Sequence, residues 1–153
     1  MFVLEVVEAL TKEDVSFAIV GGYAVALHGA VRGTVDVDIV LSFTKRNYES
    51  CECALLSLGL TSKLPVSAND IFQFREEYIK ERNLRAWSFY DSKDPTRIVD
   101  VIITHKGKRL PVKIVNVKGK KIPILAKKEL IKMKQEAGRL QDLEDVKALR
   151  ELQ

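Results

Sequence analysis

The chain has 153 residues, 46% of them hydrophobic, which suits one globular domain with a core of its own. Its 25 lysine and arginine residues exceed its 21 aspartate and glutamate residues, giving a net charge of +4. No stretch approaches the roughly 20 apolar residues of a membrane helix, and the start lacks the basic-then-apolar pattern of a signal peptide. We therefore expect a single domain over residues 1–153, located in the cytoplasm and not associated with a membrane.

The N-terminal segments predict a helix, a strand and a second, short helix. Phe2–Leu10 carries apolar residues at helical spacing, and Phe17–Val20 is an apolar, β-branched run typical of a buried strand. Gly21 and Gly22 follow at once, where a sharp turn needs backbone angles that glycine reaches at low cost. Tyr23–Leu27 then forms the short helix, whose first N–H groups would offer a site for an anion.

A second strand, Val35–Leu41, carries the most informative residues, Asp36 and Asp38. Residues two apart in a strand face the same side, so these carboxylates would project together. The opposite face would carry Val35, Val37 and Ile39. Repulsion between two carboxylates raises one pKa unless a cation compensates, and oxygen ligands suit Mg²⁺ or Mn²⁺. An isolated Asp-x-Asp is nevertheless more often the polar face of an exposed edge strand.

A third carboxylate favours the metal interpretation. Asp100 lies amid β-branched residues in the predicted strand Arg97–Ile103. A lone carboxylate inside such a run is costly to bury, and its presence makes sense if it points to the same site as Asp36 and Asp38. The sequence therefore predicts a cluster of three acids.

The middle of the chain gives weaker signals. Lys45–Leu58 predicts a helix with Thr44 as its N-cap. Its buried side would carry Leu55, Leu56 and Leu58. Cys51 and Cys53 lie on this helix, and we expect reduced, partly buried thiols because no further ligands complete a zinc set. Residues 65–70 read as a loop, and residues 71–78 fit either a strand or a helix.

The second half predicts two hairpins and two helices. Leu84–Tyr90 and the Asp100 strand flank a turn over residues 91–95 and would pair antiparallel, with Trp87 in the core and base stacking as its alternative. Residues 112–117 and 122–125 form the second hairpin, and residues 126–137 and 140–152 form helices broken at Gly138. The first of these helices carries a basic cluster of Lys127, Lys128, Lys132 and Lys134. The fold class is α+β, a mixed sheet flanked by helices, with a core of about residues 1–125 and a two-helix tail of about residues 126–153.

In three motifs the chain resembles the DNA polymerase β-like nucleotidyltransferase superfamily: Val20-Gly-Gly22, Asp36-Val-Asp38 and Val99-Asp-Val101. The resemblance implies that fold, with Asp36 and Asp38 as ligands of two Mg²⁺ or Mn²⁺ ions. It implies that Asp100 is a ligand or the base for the acceptor, and that Gly21 and Gly22 face a nucleoside triphosphate. Many members have serine where this chain has Gly22.

Two longer stretches are similar to the AbiEii-type branch, which contains abortive-infection and toxin–antitoxin nucleotidyltransferases. They are residues 17–39, with Tyr23, His28, Arg32 and Thr34, and residues 122–145. The likeness implies that Lys134 and Arg139 contact the nucleotide and that Asp142 orients one of them, although an acid there also suits a helix start. Arg32 and Thr34 would touch phosphate or acceptor, or simply be polar loop residues. His28 is expected to be a packed or capping histidine, and Gln141 replaces a common lysine.

The implied activity is transfer of a nucleoside monophosphate to an acceptor hydroxyl on RNA, such as tRNA, or on protein. A rival is a catalytically silent nucleotide- or partner-binding module, against which the three acids Asp36, Asp38 and Asp100 argue. A third interpretation is one half of a toxin–antitoxin pair, with a cognate protein partner. The Gly21-Gly22 turn lacks the Gly-x-Gly-x-x-Gly pattern of a dinucleotide-binding fold.

Overall fold

The computed structural model describes residues 1–152, which form one mixed seven-stranded sheet flanked by seven helices. In chain order the elements are α1 (Phe2–Lys12), β1 (Phe17–Val20), α2 (Gly21–Leu27), β2 (Val37–Leu41), α3 (Lys45–Ser57), β3 (Thr61–Ser62), α4 (Ala68–Gln73), α5 (Arg75–Arg82), β4 (Ala86–Asp91), β5 (Asp94–Ile102), β6 (Val112–Val117), β7 (Lys120–Leu125), α6 (Lys127–Ala137) and α7 (Leu140–Glu151). The strand order across the sheet is β3-β4-β5-β2-β1-β7-β6. The predicted α+β class is confirmed.

The central strands bring distant segments of the chain side by side. β2 pairs antiparallel with β1 and parallel with β5, and β1 pairs parallel with β7. The two predicted hairpins, β4–β5 and β6–β7, are both present and antiparallel. β1 has the predicted bounds because its four residues are all buried and the chain turns at Gly21.

The two faces of β4 and β5 have opposite characters. Trp87 and Phe89 are fully buried, and the ring of Tyr48 on α3 is stacked 6.3 Å from the Trp87 ring. This burial confirms the core position of Trp87 and leaves no face free for a base. Ser88 and Asp100 pair in register on the other face, which remains partly open.

The predicted start of β2 and part of the predicted buried side of α3 were wrong. β2 begins at Val37, so Asp36 precedes the strand, and Val35 is 59% exposed instead of facing the core. Leu56 is 53% exposed because it lies about 100° around α3 from the buried Leu55.

The ambiguous segment after residue 65 is helical. Ser67 begins α4 with a capping box in which Asp70 is the partner, so the predicted loop ends before Ala68. α4 and α5 together replace the strand alternative for residues 71–78.

The last two helices are packed on the sheet. Gly138, with φ of 66°, ends α6, and Leu130 and Leu149 belong to the hydrophobic core. The thiols of Cys51 and Cys53 are free, the first buried and the second exposed. Within residues 1–152 no helix combines the length and apolar character needed to cross a membrane.

Candidate active site

Three carboxylates meet at the edge where β1 ends. The parallel register of β2 and β5 places Asp38 directly beside Asp100, and the antiparallel register of β1 and β2 places Val20 opposite Asp38. Asp36, one residue before β2, lines the same cleft. The cleft has a volume of about 990 Å³.

All ten residues proposed from the sequence line this one cleft. They are Gly21, Gly22, Arg32, Thr34, Asp36, Asp38, Asp100, Lys134, Arg139 and Asp142. Four separate parts of the chain supply them: the turn after β1, the loop before β2 together with the start of β2, β5, and the segment from the end of α6 to the first turn of α7. The sequence motifs are therefore assembled in space.

Nearby positive charge does not fully neutralise the carboxylates. Burial, together with the negative charges of Asp100 and Asp36, raises the pKa of Asp38 to about 7. Burial and Asp100 also raise the pKa of Asp36. Lys134 opposes the shift at Asp38 but does not cancel it. At neutral pH this cluster would therefore be stabilised by added cations.

The donor set fits Mg²⁺ or Mn²⁺. Among residues 1–152, no three His, Cys, Asp or Glu side chains form a ready-made metal cage. Mg²⁺ is usually held by one or two carboxylates plus substrate phosphates and water, so an open, partial set of oxygens is the arrangement expected for it. Asp36, Asp38 and Asp100 would supply the protein's share.

Ser88, which the sequence analysis did not single out, supports the site through Asp100 without lining the cleft. Its hydroxyl donates a 2.6 Å hydrogen bond to Oδ1 of Asp100. This bond fixes the orientation of the Asp100 carboxylate across the β4–β5 pair. Alternation along β4 puts Ser88 on the face opposite Trp87, but its partner depends on the strand register.

Gly21 and Gly22 let the backbone approach the site closely. A Cβ atom on Gly21 would lie 2.0 Å from Oδ2 of Asp38, and one on Gly22 would lie 2.6 Å from Cβ and 2.7 Å from Oγ1 of Thr34. The Thr34 side chain thus occupies the space that a side chain at position 22 would need. The anion site expected at the start of α2 remains a prediction.

We expect Gly22→Ser to lower the stability of the protein by about 1–3 kcal/mol because it overpacks against Thr34. Thr34→Gly in the same chain should recover most of that loss, as measured by chemical denaturation. Gly33→Ser is the matched control, since a Cβ there meets nothing within 4 Å. Equal losses at positions 22 and 33 would contradict this steric explanation.

The cations predicted to contact the nucleotide are held by acids. The Lys134 ammonium lies 2.8 Å from Oδ2 of Asp145 and 3.4 Å from Oδ1 of Asp142, and Lys134 is 6% exposed. Arg139 Nε donates to Oδ2 of Asp142 at 2.7 Å. Arg32 Nε donates to Oδ1 of Asp145 at 3.0 Å. These contacts hold three positively charged groups at the cleft.

His28 has a packing role, as expected. Its Nε2 is 2.8 Å from the carbonyl oxygen of Leu125, which joins the end of α2 to β7. His28 does not line the cleft.

One wall of the cleft belongs to a strongly basic stretch of the chain. Residues 104–135 contain eleven lysine or arginine residues and a single acid, Glu129. Within residues 1–152, eight of these cations make no ion pair: Lys108, Arg109, Lys113, Lys118, Lys121, Lys127, Lys128 and Lys132. Lys106 and Lys132 line the cleft itself, and Lys128 lies one helical turn before Lys132.

No family model matches the chain, and no curated protein matches it. Solved structures do resemble it. The lincosamide antibiotic adenylyltransferase LnuA, with lincomycin bound, superposes with a TM-score of 0.67 at 13% identity, covering 99% of this chain and 96% of that one.

Two further structures show the same architecture. ANT(2″)-Ia in complex with adenylyl-2″-tobramycin has a TM-score of 0.60 at 10% identity, covering 96% of this chain and 84% of that one. An antigenic nucleotidyltransferase-like protein from Paracoccidioides brasiliensis has a TM-score of 0.56 at 16% identity, covering 97% of this chain and 74% of that one. The chain therefore has the fold of the nucleotidyltransferases.

Proposed function

We propose that the protein is a metal-dependent nucleotidyltransferase that moves a nucleoside monophosphate from a nucleoside triphosphate to an acceptor hydroxyl. The observation that carries this proposal is the meeting of Asp36, Asp38 and Asp100 in one cleft, beside the close backbone approach of Gly21. A binding module without catalytic activity would have no use for three neighbouring aspartates whose negative charge is only partly neutralised. The nucleotidyltransferase fold supports the same conclusion.

In this proposal the three aspartates, Lys134 and Arg139 have distinct roles. Two Mg²⁺ or Mn²⁺ ions bound by the three aspartates would lower the pKa of the acceptor hydroxyl and neutralise the triphosphate. Asp100, oriented by Ser88, accepts the proton of the acceptor hydroxyl. The acceptor oxygen forms its bond to the α-phosphorus as the bond to pyrophosphate breaks. Lys134 and Arg139 stabilise the negative charge that leaves with pyrophosphate.

A direct test incubates the protein with Mg²⁺, each labelled nucleoside triphosphate, total RNA and cell lysate. Label on RNA or protein with the wild type, and none with Asp38→Asn, would establish transfer and identify the nucleotide. Nucleotide binding without transfer would favour the silent module. Absence of nucleotide binding would refute the nucleotidyltransferase function.

For the acceptor we favour RNA over protein. The stretch of residues 104–135 has eleven cations against one acid, although the whole chain has a net charge of only +4, and three of these cations, Lys106, Lys132 and Lys134, line the cleft. A cationic surface leading out of the cleft suits a phosphate backbone.

We expect Lys128→Gln/Lys132→Gln to raise KM for RNA several-fold while KM for the nucleotide stays nearly constant. Removal of each lysine–phosphate interaction should reduce the slope of log K for RNA binding against log salt concentration by about one. The matched control is Lys118→Gln/Lys121→Gln, which removes two charges from the same basic stretch outside the cleft. Equal effects of the two pairs would contradict a defined RNA path.

The AbiEii-type resemblance extends the proposal to a toxin–antitoxin role with a cognate partner protein. Tagged protein expressed from its native locus should then copurify with one small protein encoded by a neighbouring gene. Purification with no stoichiometric partner would argue for a stand-alone enzyme.

A further inference from the structure

Asp145 lies outside the cleft, yet it contacts side chains from three different parts of the chain. It is 3% exposed on α7. Its Oδ1 accepts hydrogen bonds of 3.0 Å from Arg32 Nε and 3.0 Å from Gln141 Nε2, and its Oδ2 is 2.8 Å from the Lys134 ammonium. It therefore joins the loop before β2 to both tail helices.

Two of these three partners belong to the cleft. Arg32 and Lys134 line it, whereas Asp145 does not. A buried carboxylate is stable only when it is paired and hydrogen-bonded, so the positions of Arg32 and Lys134 are tied to that of Asp145.

The loop that Arg32 anchors also carries two other residues of the site. Residues 30–36 contain Thr34 and Asp36 and have no helix or strand of their own. Arg32 Nη1 also donates to the carbonyl oxygen of Gly33, which fixes the local path of the chain. Releasing Arg32 from α7 would free this segment and, with it, the metal ligand at its end.

We propose that Asp145 is a positioning residue that holds Arg32 and Lys134, and through Arg32 the loop of residues 30–36, in the geometry that binds the nucleoside triphosphate. This inference rests on the proposed function. It assigns the α6–α7 tail the task of assembling the nucleotide site in addition to packing on the core.

The test compares Asp145→Asn with Glu144→Gln, an exposed neighbour on the same helix. We expect Asp145→Asn to weaken binding of the magnesium–nucleotide complex, and to raise its KM, by about tenfold or more, because the substitution removes the charge from a buried, charge-assisted hydrogen bond. The turnover number should change less than KM. Amide exchange of residues 30–36 should accelerate in the nucleotide-free protein, and Glu144→Gln should match the wild type in every measurement.

A second variant keeps the test decisive if Asp145→Asn folds poorly. Arg32→Gln breaks the same contact from its more exposed end, whose side chain is 24% accessible. It should reproduce the faster exchange and the weaker binding, and the double variant should show less than the product of the two single effects.

The outcomes separate this inference from the proposed function. A wild-type protein that binds no nucleotide refutes both. If the wild type binds nucleotide, and Asp145→Asn and Arg32→Gln bind it equally well, the positioning role is wrong while the proposed function stands.

Discussion

Asp38→Asn should abolish nucleotide transfer while making the metal-free protein more stable at neutral pH. Transfer should fall about 10³-fold or more, because metal catalysis is worth several kcal/mol and each 1.4 kcal/mol is tenfold in rate. Stability should rise because the amide removes a buried charge that faces Asp36 and Asp100. Labelled-nucleotide transfer and chemical denaturation measure the two effects.

The pH dependence of the stability follows from the Asp38 carboxyl. Its pKa is about 7 in the folded chain against an ordinary value of 3.8, so the folded state keeps a proton that the unfolded state has released between these values. The free energy of unfolding of the metal-free wild type should therefore decrease as pH rises through this window. Asp38→Asn lacks the contribution of the Asp38 carboxyl to this decrease, so the two proteins should differ most above pH 7, on the order of a few kcal/mol.

Asp94→Asn is the control for these effects. Asp94 begins β5, lies outside the cleft, and has its pKa lowered by hydrogen bonds from Thr96. Its replacement should leave transfer intact and should not raise stability at neutral pH. Full metal-dependent transfer by Asp38→Asn would refute the assignment of the carboxylates.

Adding Mg²⁺ should make the wild type more stable than Asp38→Asn, the reverse of the order expected without metal. Cations that bind only the folded state stabilise it by an amount that grows with the logarithm of their concentration once this exceeds Kd, and Asp38→Asn loses part of the proposed ligand set. Thermal unfolding at pH 8 with increasing Mg²⁺ should raise the melting temperature of the wild type and change that of the variant much less.

The features that were predictable from the sequence are those that local patterns determine. β1 is a four-residue buried run closed by Gly21, and Thr44 caps α3 by accepting from the Asn47 amide, as its position before the helix predicts. Asp36 and Asp38 could be grouped from their spacing of two, and Asp100 was added because a lone carboxylate within a β-branched run has no packing role.

The features that were missed depend on contacts between distant segments. Ser88 bonds to Asp100 because of the β4–β5 register, and Asp145 meets Arg32 across 113 residues of sequence. Neither residue has a local pattern that distinguishes it from an ordinary polar residue. The start of β2 was misplaced because Val35 looks like a strand residue, although the loop anchored by Arg32 carries it into solvent.

The largest steric effect is expected at Gly21. Its φ is +66°, and a Cβ atom would lie 2.0 Å from Oδ2 and 2.9 Å from Cβ of Asp38. Gly21→Ala should therefore strain the backbone by roughly 1–2 kcal/mol and also displace the carboxylate. We expect transfer to fall at least about 10²-fold, since a shift of about 1 Å in a catalytic group costs that much.

Gly59→Ala distinguishes the effect of backbone strain from the effect of displacing the Asp38 carboxylate. Gly59 has φ of +81°, and a Cβ there meets nothing within 4 Å, so its replacement carries the backbone cost alone. Both variants should lose stability in chemical denaturation, but Gly59→Ala should keep transfer near the wild-type rate. If the two variants lost transfer equally, the loss would come from backbone strain in general. Loss at Gly21 alone would mean that the turn after β1 must remain free of a side chain so that Asp38 can hold its position beside Asp100.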